Sequence, residues 1–125
     1  MSMYGPITTG AATGGAGVAA ATAYSPRPIT GVVVQIYVQY NDAPPAGTTD
    51  VGIKTKGASG ITPSIPLLTI TNAATNGVFT PKTPTYTPAG ALDGGTAYFV
   101  INDIIQVDIA GANDGDSVSV WLETL

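Results

Sequence analysis

The sequence predicts an all-β chain: a single β-sandwich, jelly-roll or immunoglobulin-like, with an extended N-terminal arm. Three observations lead there. Runs of β-branched and aromatic residues recur with a period of two. Gly, Pro, Asn and Asp separate those runs, and roughly six to eight short strands spaced in this way suit a sandwich or small barrel. No stretch keeps a 3.6-residue apolar period with helix caps. At 125 residues the chain is one domain, long enough to bury a core without disulfides or a metal.

Taken in order, residues 1–24 are rich in Gly, Ala and Thr and hold no ionisable acid or base side chain. Gly10, Gly14, Gly15 and Gly17 make regular structure costly before Val18. The segment reads either as a solvated tail or as an arm lying extended on a neighbouring subunit. In the second case Tyr4, Val18 and Tyr24 are its contact residues. The folded body is expected over residues 25–125, entered through Ser25-Pro26-Arg27-Pro28, which favours an extended backbone.

Residues 32–40 carry the clearest strand signal. Val32, Val34, Ile36, Val38 and Tyr40 alternate with Val33, Gln35, Tyr37 and Gln39. Turn residues fill 41–47. A second strand covers 49–55 with Val51, Ile53 and Thr55 inward and Lys54 outward. Regular structure breaks over 56–63. A third strand spans 65–71, where Pro66 argues for a sheet edge. Residues 77–80 form a short paired strand, and 81–88, alternating Pro and Thr, read as an extended loop. Strands follow at 97–100 and 104–109, with Ile105, Val107 and Ile109 on one face. After a turn at 110–116, Val118, Val120 and Leu122 alternate with Ser117, Ser119 and Trp121. Trp121 thus sits on the polar face of the last strand, either as an exposed interface anchor or beneath a second sheet.

Charge narrows the function. Only 10% of residues are charged, against about 25% in ordinary domains. Four cations (Arg27, Lys54, Lys56, Lys82) in a chain of net charge −4 do not make a nucleic-acid footprint. Small, uncharged surface residues lose little side-chain entropy when another molecule covers them, which suits a protein that packs into an assembly. No apolar run reaches the ~20 residues of a membrane span. The N-terminus lacks the basic region of a secretion signal, so synthesis in the cytoplasm is expected.

Catalytic chemistry finds little material. Histidine and cysteine are absent, which removes the usual general base, the thiol nucleophile and the common zinc ligands. Asp103 and Asp108 are five residues apart on a strand and fall on opposite faces, unlike a glycosidase pair. Asn113-Asp114-Gly115-Asp116 clusters side-chain oxygens as a calcium loop does but has no Glu at the required later position, and ordinary tight-turn chemistry accounts for it. Neither a cofactor, a metal site nor an enzymatic activity is expected. The aromatics are scattered over many segments, so packing is the default reading, with a carbohydrate groove as the alternative.

The stretch from Gly31 to Lys56 also carries a likeness. Its strand at 32–40, followed by Asn41-Asp42-Ala43-Pro44-Pro45-Ala46-Gly47-Thr48-Thr49-Asp50-Val51, resembles short proteins encoded among the structural genes of tailed phages and prophages. Ala112-Asn113-Asp114-Gly115-Asp116-Ser117-Val118 is similar to their endings. Those proteins often carry an aromatic-rich segment ending in Pro-Arg, where this chain has Gly77-Val78-Phe79-Thr80-Pro81-Lys82. The resemblance implies a virion component of the head-decoration (cement) type, partnered with a major capsid protein or other virion subunits. A homo-oligomer, with a trimer favoured for a shell's threefold points, is the expected form. A carbohydrate- or cell-surface-binding module of a fibre or tail, and a self-assembling filament or shell subunit, are the other expectations.

Overall fold

Pairing, rather than propensity, decides which of these segments become strands. The structure, a computed structural model, describes residues 1–41, 45–57, 63–72 and 75–125. Among them there are ten strands and no helix: β1 (Ser2–Thr8), β2 (Ala19–Tyr24), β3 (Ile29–Tyr40), β4 (Asp50–Thr55), β5 (Pro66–Ile70), β6 (Gly77–Phe79), β7 (Lys82–Tyr86), β8 (Leu92–Asp103), β9 (Ile105–Ala112) and β10 (Val118–Thr124). One sheet runs β1-β10-β3-β8-β7, with β6 added on β3; the other runs β2-β9-β4-β5. Every pairing is antiparallel. The two sheets make a β-sandwich. The expected turn at 41–47 and break at 56–63 lie partly outside the described residues.

Between the sheets lies one core. Val33, Ile36, Val118, Val120 and Leu122 from the larger sheet are fully buried with Val51, Ile53, Ile105, Val107 and Ile109 from the smaller. Each such side chain contributes roughly 1.5–3 kcal/mol on leaving water. β4 and β9 bury the residues that alternation assigned to them, and Pro66 begins an edge strand. Tyr40 is buried as well; its hydroxyl meets no partner among the described residues, and burial holds its phenol above the ordinary value.

Several expectations need correction. The first concerns the arm: residues 1–24 are built into both sheets of their own chain. β1 pairs β10, and β2 pairs β9. Between them Thr9 N donates to Val118 O (3.0 Å), and Val118 N donates to Thr9 Oγ1 (3.0 Å). Ala12 exchanges backbone bonds with Asp116 and Gly115 at 2.8 Å each. Glycine makes this route possible. At Gly14 (φ +140°) a Cβ would stand 2.9 Å from Ala19 Cα. The body therefore does not begin at residue 25. Small side chains suit close backbone approach, and here the close approach is intramolecular.

The second correction is a slip of register in β3. Val33, not Val34, points inward, together with Ile36, Val38 and Tyr40. Thr124 pairs Val33 while Glu123 pairs Gln35, so Val34 is the extra residue of a β-bulge. Further on, the segment expected as a loop at 81–88 contains β7, and β8 begins at Leu92 rather than near Ala97.

Candidate functional site

The residues with chemical potential are mostly occupied in holding the backbone. Asp103 is buried; it accepts from Gly57 N (2.9 Å) and from Ile104 N (2.7 Å). Asp108 accepts from Thr22 Oγ1 (2.6 Å) across the β2–β9 pair and from Gln106 Nε2 (3.1 Å) on its own strand. In the turn at 113–116, Asp116 Oδ2 accepts from Asn113 N (3.0 Å), and Asn113 Oδ1 accepts from Gly17 N (3.2 Å). That turn fastens the glycine-rich N-terminal segment. Among the described residues no group of three or more Asp or Glu side chains converges as a metal site would require.

Two surface features remain, both on the larger sheet. The first is an aromatic shelf. Trp121 on β10 and Tyr37 on β3 are directly opposed, and both point away from the core. Tyr37 is also opposed to Val78 on β6. These side chains, with Met3, Gln39 and Asn76, line an open and mainly apolar groove of about 630 Å³. Gly5 holds β1 close against it: a Cβ there would stand 2.7 Å from Val120 O and 2.9 Å from Trp121 Cδ1.

Polar groups flank the rings. Tyr37 OH lies 2.8 Å from Gln35 Oε1 and 2.9 Å from Glu123 Oε2. One hydroxyl proton serves one acceptor at a time. Turning the Gln35 amide over lets its NH₂ donate to the phenol oxygen while the phenol donates to Glu123. The hydrogen bond to Glu123 holds the Tyr37 phenol above its ordinary pKa, with desolvation and the carboxylate charge acting in the same direction.

The second feature is a projecting hairpin. Only residues 99–103 of β8 pair with β3; residues 92–98 leave the sheet and pair with β7 alone. The tip is closed by Thr87 N to Ala91 O (2.7 Å) and Gly90 N to Thr87 O (2.8 Å). Asp93 Oδ1 accepts from Thr85 Oγ1 (2.6 Å) and Gly95 N (2.8 Å), and the Thr85 bond leads in lowering its pKa. Lys82 Nζ sits 5.1 Å from the Tyr98 ring centroid, in cation–π range. Every residue from 92 to 98 is exposed, so this length of strand has water on both faces. Leu92 is 66% and Val100 78% exposed, and Tyr86 and Tyr98 stand beside them.

The four expected contact residues do not converge. Trp121 lies on the outer face of the larger sheet. Tyr4 opposes inward-pointing Leu122 and packs against the core. Tyr24 sits on the outer face of the smaller sheet, opposite Gln106, with Lys56 Nζ 4.8 Å from its ring centroid. Val18 is exposed at a turn ahead of β2. Sequence reasoning offered Tyr37, Tyr86 and Tyr98 only as scattered aromatics under the alternative of a carbohydrate groove, and assigned Val78 and Leu92 to no site. Tyr37 was legible on the polar face of its strand, but its meeting with Trp121 depends on the β3–β10 register.

These features define the class: an antiparallel two-sheet sandwich with an aromatic shelf and a projecting ribbon. No family model matches the chain, and no curated protein matches it. Among solved structures, a mutant of a family 29 carbohydrate-binding module aligns over 90% of this chain but 64% of its own length, at 13% identity and TM-score 0.41. A family 29 mutant complexed with cellulohexaose aligns over 97% of this chain and 77% of its own, at 13% identity and TM-score 0.44. A further family 29 module covers 97% and 75%, at 12% identity and TM-score 0.42. Likeness at this level assigns neither a family nor a ligand.

Proposed function

We propose that the chain is a non-catalytic structural subunit that works by being packed into a larger assembly, a virion in the setting its resemblance implies. One observation carries this reading: the β7–β8 hairpin extends apolar side chains beyond the sandwich, and nothing among the described residues covers them. A two-stranded ribbon is at best marginally stable in water, so covering it stabilises both ribbon and complex. The low charge of the surface agrees, as does the commitment of Asp103, Asp108 and Asp116 to backbone and neighbouring side chains. Particles purified from cells making this chain are expected to contain it in a fixed ratio to their shell subunit, read by quantitative mass spectrometry. Its absence from washed particles would reject the reading.

The Trp121–Tyr37 shelf favours a second reading, a glycan-binding module. Aromatic faces stack on the C–H faces of sugars, and Gln35, Gln39, Asn76 and Glu123 offer amide and carboxylate partners for hydroxyls. Trp121 is the single tryptophan, so its emission reports on the shelf directly. A saturable shift on titration with neutral oligosaccharides is the result this second reading requires; flat emission at millimolar sugar removes it.

A further inference from the structure

Apolar side chains, interrupted by Gln35 and Glu123, run along the outer face of the larger sheet and onto the hairpin. Register fixes their course. Trp121 opposes Tyr37, Tyr37 opposes Val78, and Val100 opposes the outward Val32. Strand alternation carries the same face outward through Tyr98, and Leu92 joins it through its pairing with Tyr86. Large apolar side chains exposed together on one face commonly mark a site where another molecule packs.

We infer that this row receives further copies of the same chain, the hairpin of one copy lying in the Trp121–Tyr37 groove of the next around a closed ring. The inference rests on the assembly reading and names its first partner. A projection and an open groove of about 630 Å³ occur on one molecule, and both are apolar. Such a pair makes a head-to-tail contact, which closes into a ring when the rotation between copies divides a full turn.

Charge points to the same occupant. Each copy carries net charge −4, so copies repel unless they meet through neutral surface. The hairpin is neutral in sum: Lys82 lies over Tyr98, and Asp93 is engaged by Thr85 and Gly95. The residues lining the groove are all uncharged, and Glu123, beside it, accepts from Tyr37. That lining offers a charged partner no ion pair, whereas a second neutral ribbon matches it. Among the described residues the edge of β8 over 92–98 is also unpaired on the side facing away from β7, and it lacks the proline or lysine that commonly blunts an edge.

Light scattering behind a sizing column, on the full chain at micromolar concentration, tests this. The wild type is expected as one discrete multiple of 12.5 kDa. The double variant Leu92→Asp/Tyr98→Asp, altered on the projection, and Val78→Asp, altered in the groove, are each expected to fall to 12.5 kDa. All three positions are exposed, so circular dichroism should stay at the wild-type spectrum, while the thermal midpoint falls only by the share that contacts between copies add. If the aspartates disturb the ribbon, Leu92→Ser/Tyr98→Ser replaces them. A monomeric wild type, an open polymer, or variants that keep the wild-type mass would overturn the inference. Particle composition is read separately. A monomer found in particles sinks the ring and leaves the assembly reading standing; a ring absent from particles does the reverse.

Discussion

Replacing Val33 by Asp is expected to unfold the chain, while the same replacement at Val34 leaves it folded. Val33 is fully buried against the opposite sheet, and among the described residues no cation lies in that core to pair with a carboxylate. A buried, unpaired charge belongs to the short list of changes that cost about 4–5 kcal/mol or more. That is comparable with the whole stability of many domains, about 5–15 kcal/mol. Val34 is the bulge residue and is only half-buried, so a carboxylate there can reach water, at a cost of about 1 kcal/mol. Urea unfolding followed by Trp121 emission separates the two. Simple alternation along β3 predicts the opposite order.

The same pair of residues shows how far the sequence reaches. From Gln35 onward the polar residues mark the outer face, and Ile36, Val38 and Tyr40 are inward as alternation requires. Val32, Val33 and Val34 are identical, so nothing within the strand records where the period slips. The bulge is written in the partner strand, at Glu123 and Thr124. A similar limit hid the hairpin. A period of two arises where one face is buried and the other wet, and residues 92–98 are wet on both. With Pro84 placed where β7 has a free edge, the Thr-Pro run carries no strand signal at all.

Gly5→Ala is expected to cost about 2–3 kcal/mol and to change the environment of Trp121. Gly5 has φ +133°, a conformation that side-chain-bearing residues adopt only under strain of about 1–3 kcal/mol. The added Cβ would also meet Val120 O at 2.7 Å and Trp121 Cδ1 at 2.9 Å. Since one of those atoms is backbone, β1 must lift from β10, and the indole beneath it gains solvent. A lower thermal midpoint together with red-shifted emission checks both parts. Gly10→Ala is the matched control: a Cβ added there would meet nothing within 4 Å, and its effect should be near zero. Glycine content suggested a loose terminal segment, yet at Gly5 and Gly14 it marks close intramolecular approach. Composition is the same in both cases, and only the neighbouring strand tells them apart.

Of the surface, Trp121 and Tyr37 were each legible as outward-facing, because serine and glutamine neighbours set the period around them. Their convergence was not, since it joins segments far apart in the chain through pairing. Tyr24, expected as a contact residue of an arm, lies exposed on the opposite outer face of the sandwich.

The proposal that the chain serves as a packed subunit rests most heavily on the hairpin and the outer face beside it. Hydroxyl-radical footprinting of the chain, free and within purified particles, reads that surface directly. Tyr86, Leu92 and Tyr98 are expected to react readily in the chain diluted until light scattering shows a monomer and to be protected in particles, while exposed Tyr24 on the other face changes less. Equal reactivity of the three hairpin residues in the monomer and in particles would contradict a packed hairpin.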